Sequence, residues 1–331
     1  HDVVRKMRAS IQVMGPLLAR LGRVRVSLPG GCAIGERPID FHLKGLSQLG
    51  AIISEDHGYI YAEADGLTAA DIQLDYPSVG ATENLMMAAT LAKGTTQIRN
   101  VAREPEIIEV QNFLNQMGAR IRGAGTDVIR IEGVDRLQPA EHTVIPDRVE
   151  TGTYMVAVAM TGGSVTLQPV IPQHVASLVA KLKEIGVHVC LDGDRISLES
   201  TGKYAATNFQ SLPYPGFPTD LLPQVMAMMT LAEGISVMRE TVYSNRYKHV
   251  SELRRMGANI IVADRTAVIQ GVPHLTGAEV VVPDLRAGAA LVVAGLAAQG
   301  VTLIEDSGHL SRGYDNLVTK LRGVGADISL V

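Results

Sequence analysis

One pattern recurs five times along this chain: LSQLGAII at 46–53, FLNQMGARI at 113–121, KLKEIGVHV at 181–189, ELRRMGANI at 252–260 and KLRGVGADI at 320–328. In each copy a helix ends at a glycine and a strand follows. The glycines are Gly50, Gly118, Gly186, Gly257 and Gly325, so the intervals are 68, 68, 71 and 68 residues. Common solenoid repeats have periods of roughly 20 to 50 residues. The sequence therefore repeats a larger supersecondary module.

Periodicity divides each module into helix, strand, helix, strand and strand. The first helices, such as ENLMMAATLA at 83–92 and PQVMAMMTLA at 223–232, are apolar nearly all round. A helix of this kind is buried between other elements. Glycine ends each helix because it adopts the left-handed conformation without a Cβ clash. We therefore predict an α/β protein with the first helices inside and the sheets outside.

Composition limits the class of function. The chain has 331 residues and is 46% hydrophobic, which is enough for about two domains. Its net charge of -4 and the absence of Trp disfavour nucleic acid as a partner. Its longest apolar stretches, such as 289–298, are about half of a bilayer span, so no membrane crossing is predicted. With only two cysteines, the chain suits a reducing cytoplasm.

The connections into the first helices are the predicted place for chemistry, because helix N-termini attract anions. These connections differ in sequence from one module to the next, although the modules around them repeat. They are residues 2–8, PSVGAT at 77–82, PDRVETG at 146–152, FPTD at 217–220 and PDLRAG at 283–288. Ser78, Thr219 and Asp284 also fit ordinary helix caps. Asp220 fits either a general base or a cap.

The segment SLPGGCAIGERPID at 27–40 is the strongest local signal. Its glycines and prolines predict a mobile surface loop around Cys32. A nearby Arg37 would lower the pKa of the Cys32 thiol, which can then act as a nucleophile or an acid. Cys190, in the strand VHVCLD, is interpreted as structural.

Five arginines lie in loop contexts: Arg8, Arg37, Arg246, Arg286 and Arg312. They suit forked recognition of carboxylate or phosphate, although each alone also fits a solvated surface residue. We find no His or Cys pair at metal-binding spacing, no phosphate loop and no dinucleotide fingerprint. Neither a metal nor an organic cofactor is expected.

Nine motifs in order resemble the UDP-N-acetylglucosamine enolpyruvyl transferases: MRAS with GPLLARLG, LPGGCAIGERPID, SVGAT, REPEI, PDRVETGT, FPTD, NRYKHV, DLRA and SRGY. The resemblance covers the whole chain. It implies an inside-out α/β barrel pair built from six βαβαββ modules, of which five are counted here. The corresponding domains are 1–145, with the catalytic loop and two modules, and 146–331, with three modules.

The resemblance implies transfer of the enolpyruvyl group of phosphoenolpyruvate to the 3-hydroxyl of UDP-N-acetylglucosamine, with release of phosphate, in the cytoplasm and by a monomer. Cys32 then corresponds to the proton donor alkylated by fosfomycin, Asp220 to the base, and Arg37 and Arg312 to arginines that bind phosphoenolpyruvate. Arg286 corresponds to a residue of the same cluster. The positions matching nucleotide-sugar contacts are Arg8, Pro38, Ile39, Asp40, Phe41, Ser78, Val79, Gly80 and Val242.

One departure from the family concerns its Gly-Ala-Lys-Asn segment, which is not among the 331 residues of this sequence. The resemblance implies that the lysine of this segment binds phosphoenolpyruvate. We therefore expect the 331-residue chain alone to be inactive and poorly stable, with apolar surface and strand edges exposed, and the natural full-length protein to be active. Two alternatives remain open. One is a binding-only or regulatory paralogue, and the other is a sister enzyme that uses shikimate 3-phosphate.

Overall fold

A computed structural model describes residues 8–28 and 39–331, with side chains from residue 10 onward. The described residues form two compact units, of which the first ends at Ile145 and the second begins at Pro146. Within these ranges, none of the helices has both the length and the apolar character needed to span a bilayer.

The first unit contains two modules. The elements of the first are a 3-10 helix (Arg8–Val13), α1 (Met14–Leu21), β1 (Arg23–Ser27), α2 (Asp40–Gln48), β2 (Ile52–Asp56) and β3 (Tyr59–Glu63). The second comprises β4 (Asp71–Gln73), α3 (Val79–Ala89), β5 (Thr95–Arg99), α4 (Pro105–Gln116), β6 (Arg120–Arg122) and β7 (Val128–Glu132). Their sheets have the strand orders β1-β3-β2 and β4-β5-β7-β6.

The second unit contains three modules. The first comprises α5 (Arg148–Thr161), β8 (Gly163–Leu167), a 3-10 helix (Pro172–Val175), α6 (Ala176–Glu184), β9 (His188–Asp192) and β10 (Arg195–Ser200). The next comprises β11 (Phe209–Gln210), a 3-10 helix (Thr219–Leu221), α7 (Leu222–Met229), β12 (Ile235–Arg239), α8 (Val250–Arg255), β13 (Asn259–Ala263) and β14 (Thr266–Gln270). The last comprises β15 (Glu279–Val281), α9 (Leu285–Ala297), β16 (Leu303–Glu305), a 3-10 helix (Leu310–Arg312) and α10 (Leu317–Gly323). The sheets are β8-β10-β9, β11-β12-β14-β13 and β15-β16.

The repeated glycines end the second helix of every module. Their φ angles are 97° at Gly50, 96° at Gly118, 97° at Gly186, 93° at Gly257 and 96° at Gly325. A side chain is strained in this conformation, which explains why the same residue type returns in each copy. The predicted helix ends are therefore confirmed.

The first helices lie inside and the sheets outside, as the sequence predicts. In the second unit α5, α7 and α9 pack on one another, and all eight residues of α7 are buried. In the first unit α3 packs against α1, α2 and α4. The sheets bury one face, as the alternating exposure of β12 and β14 shows. The α/β prediction is thus confirmed.

Two details of the structure differ from the elements that the sequence periodicity predicts. The first helix is split, because residues 8–13 form a 3-10 turn before α1 begins. Residues 326–331 contain no strand, although the repeat predicts one after Gly325. A strand needs a neighbour to accept its hydrogen bonds, and within the described residues β16 pairs with β15 alone.

Candidate active site

An ionic cluster lies at the start of α7 in the second unit. The carboxylate of Asp220 pairs with Nη2 of Arg246, and its other oxygen lies 3.3 Å from Nη2 of Arg286. Arg246 is 2% exposed and Arg286 is 17% exposed, whereas the Asp220 side chain keeps 38% of its surface open. The carboxylate can therefore be reached by a ligand, while the two cations are held by the protein.

Short structured segments position these three residues. Asp220 lies in the 3-10 helix that precedes α7, which fixes the direction of its side chain. Arg246 comes from the loop after β12, and its Nε also donates to the carbonyl oxygen of Thr219 at 3.1 Å. Arg286 lies in the first turn of α9, which Asp284 caps by accepting from the backbone N–H of Arg286 and of Ala287.

The charges around Asp220 decide its protonation. Burial raises the pKa of this carboxyl, but the guanidinium groups of Arg246, Arg286 and Arg148 lower it more, and the result is a pKa well below the usual range. Asp220 is thus ionised at neutral pH. A carboxylate so strongly paired is a good hydrogen-bond acceptor for a hydroxyl but a weak base until one of its cations moves away.

A neutral hydrogen-bond network lies beneath Arg286. The guanidinium carbon of Arg286 is 6.0 Å from the centre of the Tyr314 ring, and Tyr314 is 3% exposed. Its hydroxyl lies 2.9 Å from Oγ1 of Thr153 and accepts from Nε2 of Gln224 at 3.3 Å. Burial raises the pKa of Tyr314, so this hydroxyl stays neutral.

Two further sequence-predicted residues lie near this cluster. Arg312 ends the 3-10 helix Leu310–Arg312, which packs against α9, the helix that bears Arg286. Val242 lies on the same loop as Arg246, and its backbone N–H donates to Oε1 of Glu240 at 2.6 Å. The structure therefore brings Asp220, Arg286, Val242 and Arg312 into one region of the second unit.

The predicted sugar-binding residues of the first unit lie at two helix N-termini. Ser78 caps α3 by accepting from the backbone N–H of Ala81 at 3.3 Å, so Val79 and Gly80 form its first turn. Ile39 is the N-cap of α2, followed by Asp40 and Phe41. A Cβ on Gly80 would lie 3.4 Å from the His42 ring, which shows that the two helix starts are neighbours.

A buried amide holds these two helix starts together. Asn84, in α3, is 0% exposed. Its Oδ1 accepts from the backbone N–H of Gly15 at 2.7 Å, and its Nδ2 lies 3.1 Å from the Ile11 carbonyl and 2.9 Å from Nδ1 of His42. A Cβ on Gly15 would lie 2.4 Å from Asn84, so only glycine permits this approach. One side chain thus links α1, α2, α3 and the 3-10 turn.

The first unit also contains a group of carboxylates. Burial, with Glu106 and Glu104 nearby, raises the pKa of Glu83 to about 7. Nε2 of Gln12 donates to Oε2 of Glu83 at 2.6 Å. Glu83 is therefore protonated in a substantial fraction of molecules near neutral pH.

Some sequence-predicted residues cannot be placed. Cys32, Arg37 and Pro38 lie outside the described residues, as does the side chain of Arg8, and their roles stay predictions. Cys190 lies on the exposed face of β9, so packing does not explain it.

Sequence reasoning missed several residues of the two networks. The sequence marks Arg246 only as a loop arginine, and it indicates no role for Asn84, Gln224, Tyr314 or Glu240. A signal existed for two of them. Asn84 and Gln224 are polar residues inside helices that are otherwise apolar. Each lies ten positions before the glycine that follows its helix, Gly94 after α3 and Gly234 after α7.

Solved structures define the class of protein. The enolpyruvyl transferase NikO from Streptomyces tendae superposes with a TM-score of 0.88 at 26% identity, covering 99% of this chain and 78% of NikO. An EPSP synthase from Acinetobacter baumannii superposes with a TM-score of 0.73 at 18% identity, covering 98% of this chain and 79% of that protein. The second likeness concerns the fold alone. The architecture is that of the enolpyruvyl transferases.

Sequence comparison narrows this class. A family described as EPSP synthase (3-phosphoshikimate 1-carboxyvinyltransferase) matches residues 1–321. UDP-N-acetylglucosamine 1-carboxyvinyltransferase 1 of Caldanaerobacter subterraneus subsp. tengcongensis is 59% identical over 99% of this chain and 79% of its own length. The enzyme of the same name from Symbiobacterium thermophilum is 58% identical over 100% of this chain and 75% of its own length. The chain belongs to the UDP-N-acetylglucosamine 1-carboxyvinyltransferase family of enolpyruvyl transferases.

Proposed function

We propose that this protein transfers the enolpyruvyl group of phosphoenolpyruvate to the 3-hydroxyl of UDP-N-acetylglucosamine, with release of phosphate, as a cytoplasmic monomer. The observation that carries the proposal is the partly exposed carboxylate of Asp220 held between the cations of Arg246 and Arg286. Such a group of fixed charges suits a reaction between an anionic donor and a hydroxyl.

In the proposed reaction, the methylene carbon of phosphoenolpyruvate gains a proton, for which Cys32 is the donor. The sugar hydroxyl attacks the adjacent carbon and gives its proton to Asp220. The bond from that carbon to the phosphate oxygen then breaks, and phosphate leaves with the proton held by Asp220. The methyl group formed in the first step returns one proton to the Cys32 thiolate, which restores the double bond. A positioned acid or base contributes about 100-fold to 10,000-fold in rate.

The arginines couple donor binding to base strength. We assign Arg37 and Arg312 to the anionic groups of phosphoenolpyruvate, with Arg286 in the same cluster. When Arg286 turns to the donor, Asp220 loses one of the cations that keep its pKa low. Its basicity then rises at the moment when the hydroxyl must be deprotonated. The N-termini of α2 and α3 offer N–H groups to the nucleotide sugar.

The test measures phosphate release and ligand binding in parallel, with these 331 residues and with the product of the complete reading frame. Turnover of UDP-N-acetylglucosamine with phosphoenolpyruvate supports the proposal. Calorimetric binding of the nucleotide sugar without phosphate release from either protein supports the binding-only alternative. Turnover with shikimate 3-phosphate instead identifies the sister activity.

The role of Cys32 is tested with fosfomycin, which we expect to add its mass to the peptide that contains Cys32. Cys190 is exposed and provides the control. A Cys190→Ser variant should be labelled like the parent, and a Cys32→Ser variant should not. Equal labelling of both cysteines would mean that Cys32 is an ordinary thiol.

A further inference from the structure

A buried carboxylate lies behind the Asp220 cluster. Glu240 follows β12 and is 1% exposed. Its backbone N–H donates to the carbonyl oxygen of Arg265 at 2.8 Å, which continues the sheet by one residue. The side chain is therefore fixed at its base and points into protein.

Within the part of the chain that the structure describes, the carboxylate of Glu240 accepts hydrogen bonds from four groups, all of them uncharged. Its Oε1 accepts from Oγ of Ser211 at 2.7 Å and from the backbone N–H groups of Val242 at 2.6 Å and Tyr243 at 3.0 Å. Its Oε2 lies 2.6 Å from Oγ1 of Thr219. Ser211 also accepts from the backbone N–H of Thr241 at 2.8 Å, so its single proton goes to Glu240.

These bonds connect the two segments that carry the Asp220–Arg246 pair. Thr219 immediately precedes Asp220, and its carbonyl oxygen accepts from Nε of Arg246. Val242 and Tyr243 lead to Arg246 along the chain, and the Arg246 guanidinium lies 5.3 Å from the centre of the Tyr243 ring. A single carboxylate thus sets the distance between the 217–220 segment and the 240–246 loop.

A buried carboxylate is an unfavourable choice for stability alone, because desolvation of the charge must be offset by every hydrogen bond. It is a favourable choice for geometry, because two oxygens at a fixed separation can hold several donors at once. A misplacement of about 1 Å at a reacting group can reduce the rate about 100-fold.

We propose that Glu240 is a positioning residue. It holds Asp220 and the backbone of Val242 at the separation that the hydroxyl of the sugar acceptor requires. This inference rests on the proposed transferase function. Glu240 does not touch the substrates and acts through Thr219 and through the 242–246 backbone.

The sharpest test changes Thr219, which forms one link of the network. Thr219→Val keeps the shape of the side chain and removes the hydroxyl, whereas Thr219→Ser keeps the hydroxyl. We expect Thr219→Val to lower kcat about 10-fold to 100-fold and to raise KM for UDP-N-acetylglucosamine more than KM for phosphoenolpyruvate. Thr219→Ser should restore most of kcat.

A second variant separates positioning from proton transfer. Glu240→Gln keeps the length of the side chain, and its amide can donate to Thr219, since a hydroxyl also accepts. We expect this variant to keep the pH profile of the parent and to lose less kcat than Glu240→Ala. Loss of one limb of the pH profile in Glu240→Gln would mean that Glu240 exchanges protons in the reaction, which overturns the proposal.

Ser236 provides the matched control, because it lies in β12, is 0% exposed, and its hydroxyl has no hydrogen-bond partner within the described residues. Ser236→Ala should leave kcat and KM unchanged. A common fall of kcat in Ser236→Ala, Thr219→Val and Thr219→Ser would show a general packing effect and overturn the proposal.

Hydrogen exchange makes the inference independent of turnover. In Thr219→Val and Glu240→Ala, the peptide containing 240–249 should exchange faster, while peptides of the first unit should not change. If the product of the complete reading frame proves inactive, the proposed function fails, but this measurement still decides the role of Glu240. Unchanged exchange in both variants would overturn the positioning role.

Discussion

Asn84 and Gln224 occupy the same position in two copies of one module, yet they support different chemistry. Asn84 joins backbone groups and a histidine at the helix starts of the first unit. Gln224 joins Thr153 and Tyr314 beneath Arg286, next to the Asp220 ion pairs. The repeated scaffold therefore fixes where a site is built but not which groups build it.

This difference suggests a division of labour. The first unit offers uncharged N–H groups at two helix starts, an arrangement suited to holding anions without reacting with them. The second unit offers a partly exposed carboxylate between cations, an arrangement suited to moving a proton. Substitutions in the first unit should thus act on binding and stability, and substitutions at the ionic cluster should act on kcat.

The largest expected effect is that of Asp220→Asn. The amide keeps the shape of the side chain but cannot accept the hydroxyl proton, so we expect kcat to fall about 100-fold to 10,000-fold. Steady-state phosphate release measures this. Asp264→Asn, at an exposed turn residue with φ of 58° that asparagine also adopts, is the control and should keep full activity. A kcat within a factor of about two of the parent would remove Asp220 from the proton transfer.

The next effect compares the two amides directly. Asn84→Ala leaves the Gly15 N–H and the Ile11 carbonyl without their partner, so the free energy of unfolding should fall by about 2–4 kcal/mol. Gln224→Ala should cost less, since Oε1 of Gln224 accepts no hydrogen bond from the described residues. Urea unfolding measures both. Equal losses would mean that the two positions are energetically equivalent.

A smaller effect is the pH dependence that His249 gives to the second unit. Burial lowers the pKa of His249 to about 4, with Asp284 opposing and Arg246 adding to the shift. Between about pH 4 and pH 6.5 the unfolded chain binds a proton that the folded chain does not. The free energy of unfolding should therefore fall as the pH is lowered through this window, by up to about 1.4 kcal/mol per pH unit.

Urea unfolding at several pH values tests this slope. His249→Gln should lose the contribution, and His188→Gln, on the exposed face of β9, should retain it. An unchanged slope in His249→Gln would assign the acid sensitivity to other groups.

The last effect has the opposite sign and belongs to the first unit. Burial raises the pKa of Glu83 from its ordinary 4.5 to about 7. Between pH 4.5 and about pH 7, Glu83 therefore carries a proton in the folded chain but not in the unfolded chain. Lowering the pH through this window should stabilise the first unit. Hydrogen exchange of α3 peptides should slow accordingly, and Glu83→Gln should abolish the change. Glu63→Gln, at an exposed position of β3, should not.

The repeat and its burial pattern could be predicted because they depend on local chemistry. A glycine that must adopt a positive φ leaves a mark in the sequence, and so does a helix that is apolar on all sides. The caps were only partly predictable. Ser78 and Asp284 cap their helices, whereas the Thr219 hydroxyl pairs with Glu240 instead.

The connections within the site could not be predicted from the sequence. Glu240 reaches Ser211 across 29 positions, and Asp220 reaches Arg286 across 66. These pairings cannot be recognised from the neighbouring residues in the chain. For example, the segment RET at 239–241, which contains Glu240, has the sequence of an ordinary strand end. The resemblance indicated Asp220 and Arg286, but their pairing and the low pKa that follows from it depend on the folded arrangement.

The two-stranded sheet β15-β16 has a consequence for the protein in concentrated solution. Val281, the last residue of β15, is 53% exposed, and Val301, just before β16, is 87% exposed. The outer edge of β16 meets no other strand of the described ranges. Unpaired backbone groups next to apolar side chains form a template on which identical chains stack edge to edge. At high concentration, self-association of the 331-residue chain should therefore begin at this edge. The edge lies far along the chain from the FPTD turn, so solubility and catalysis can be engineered separately.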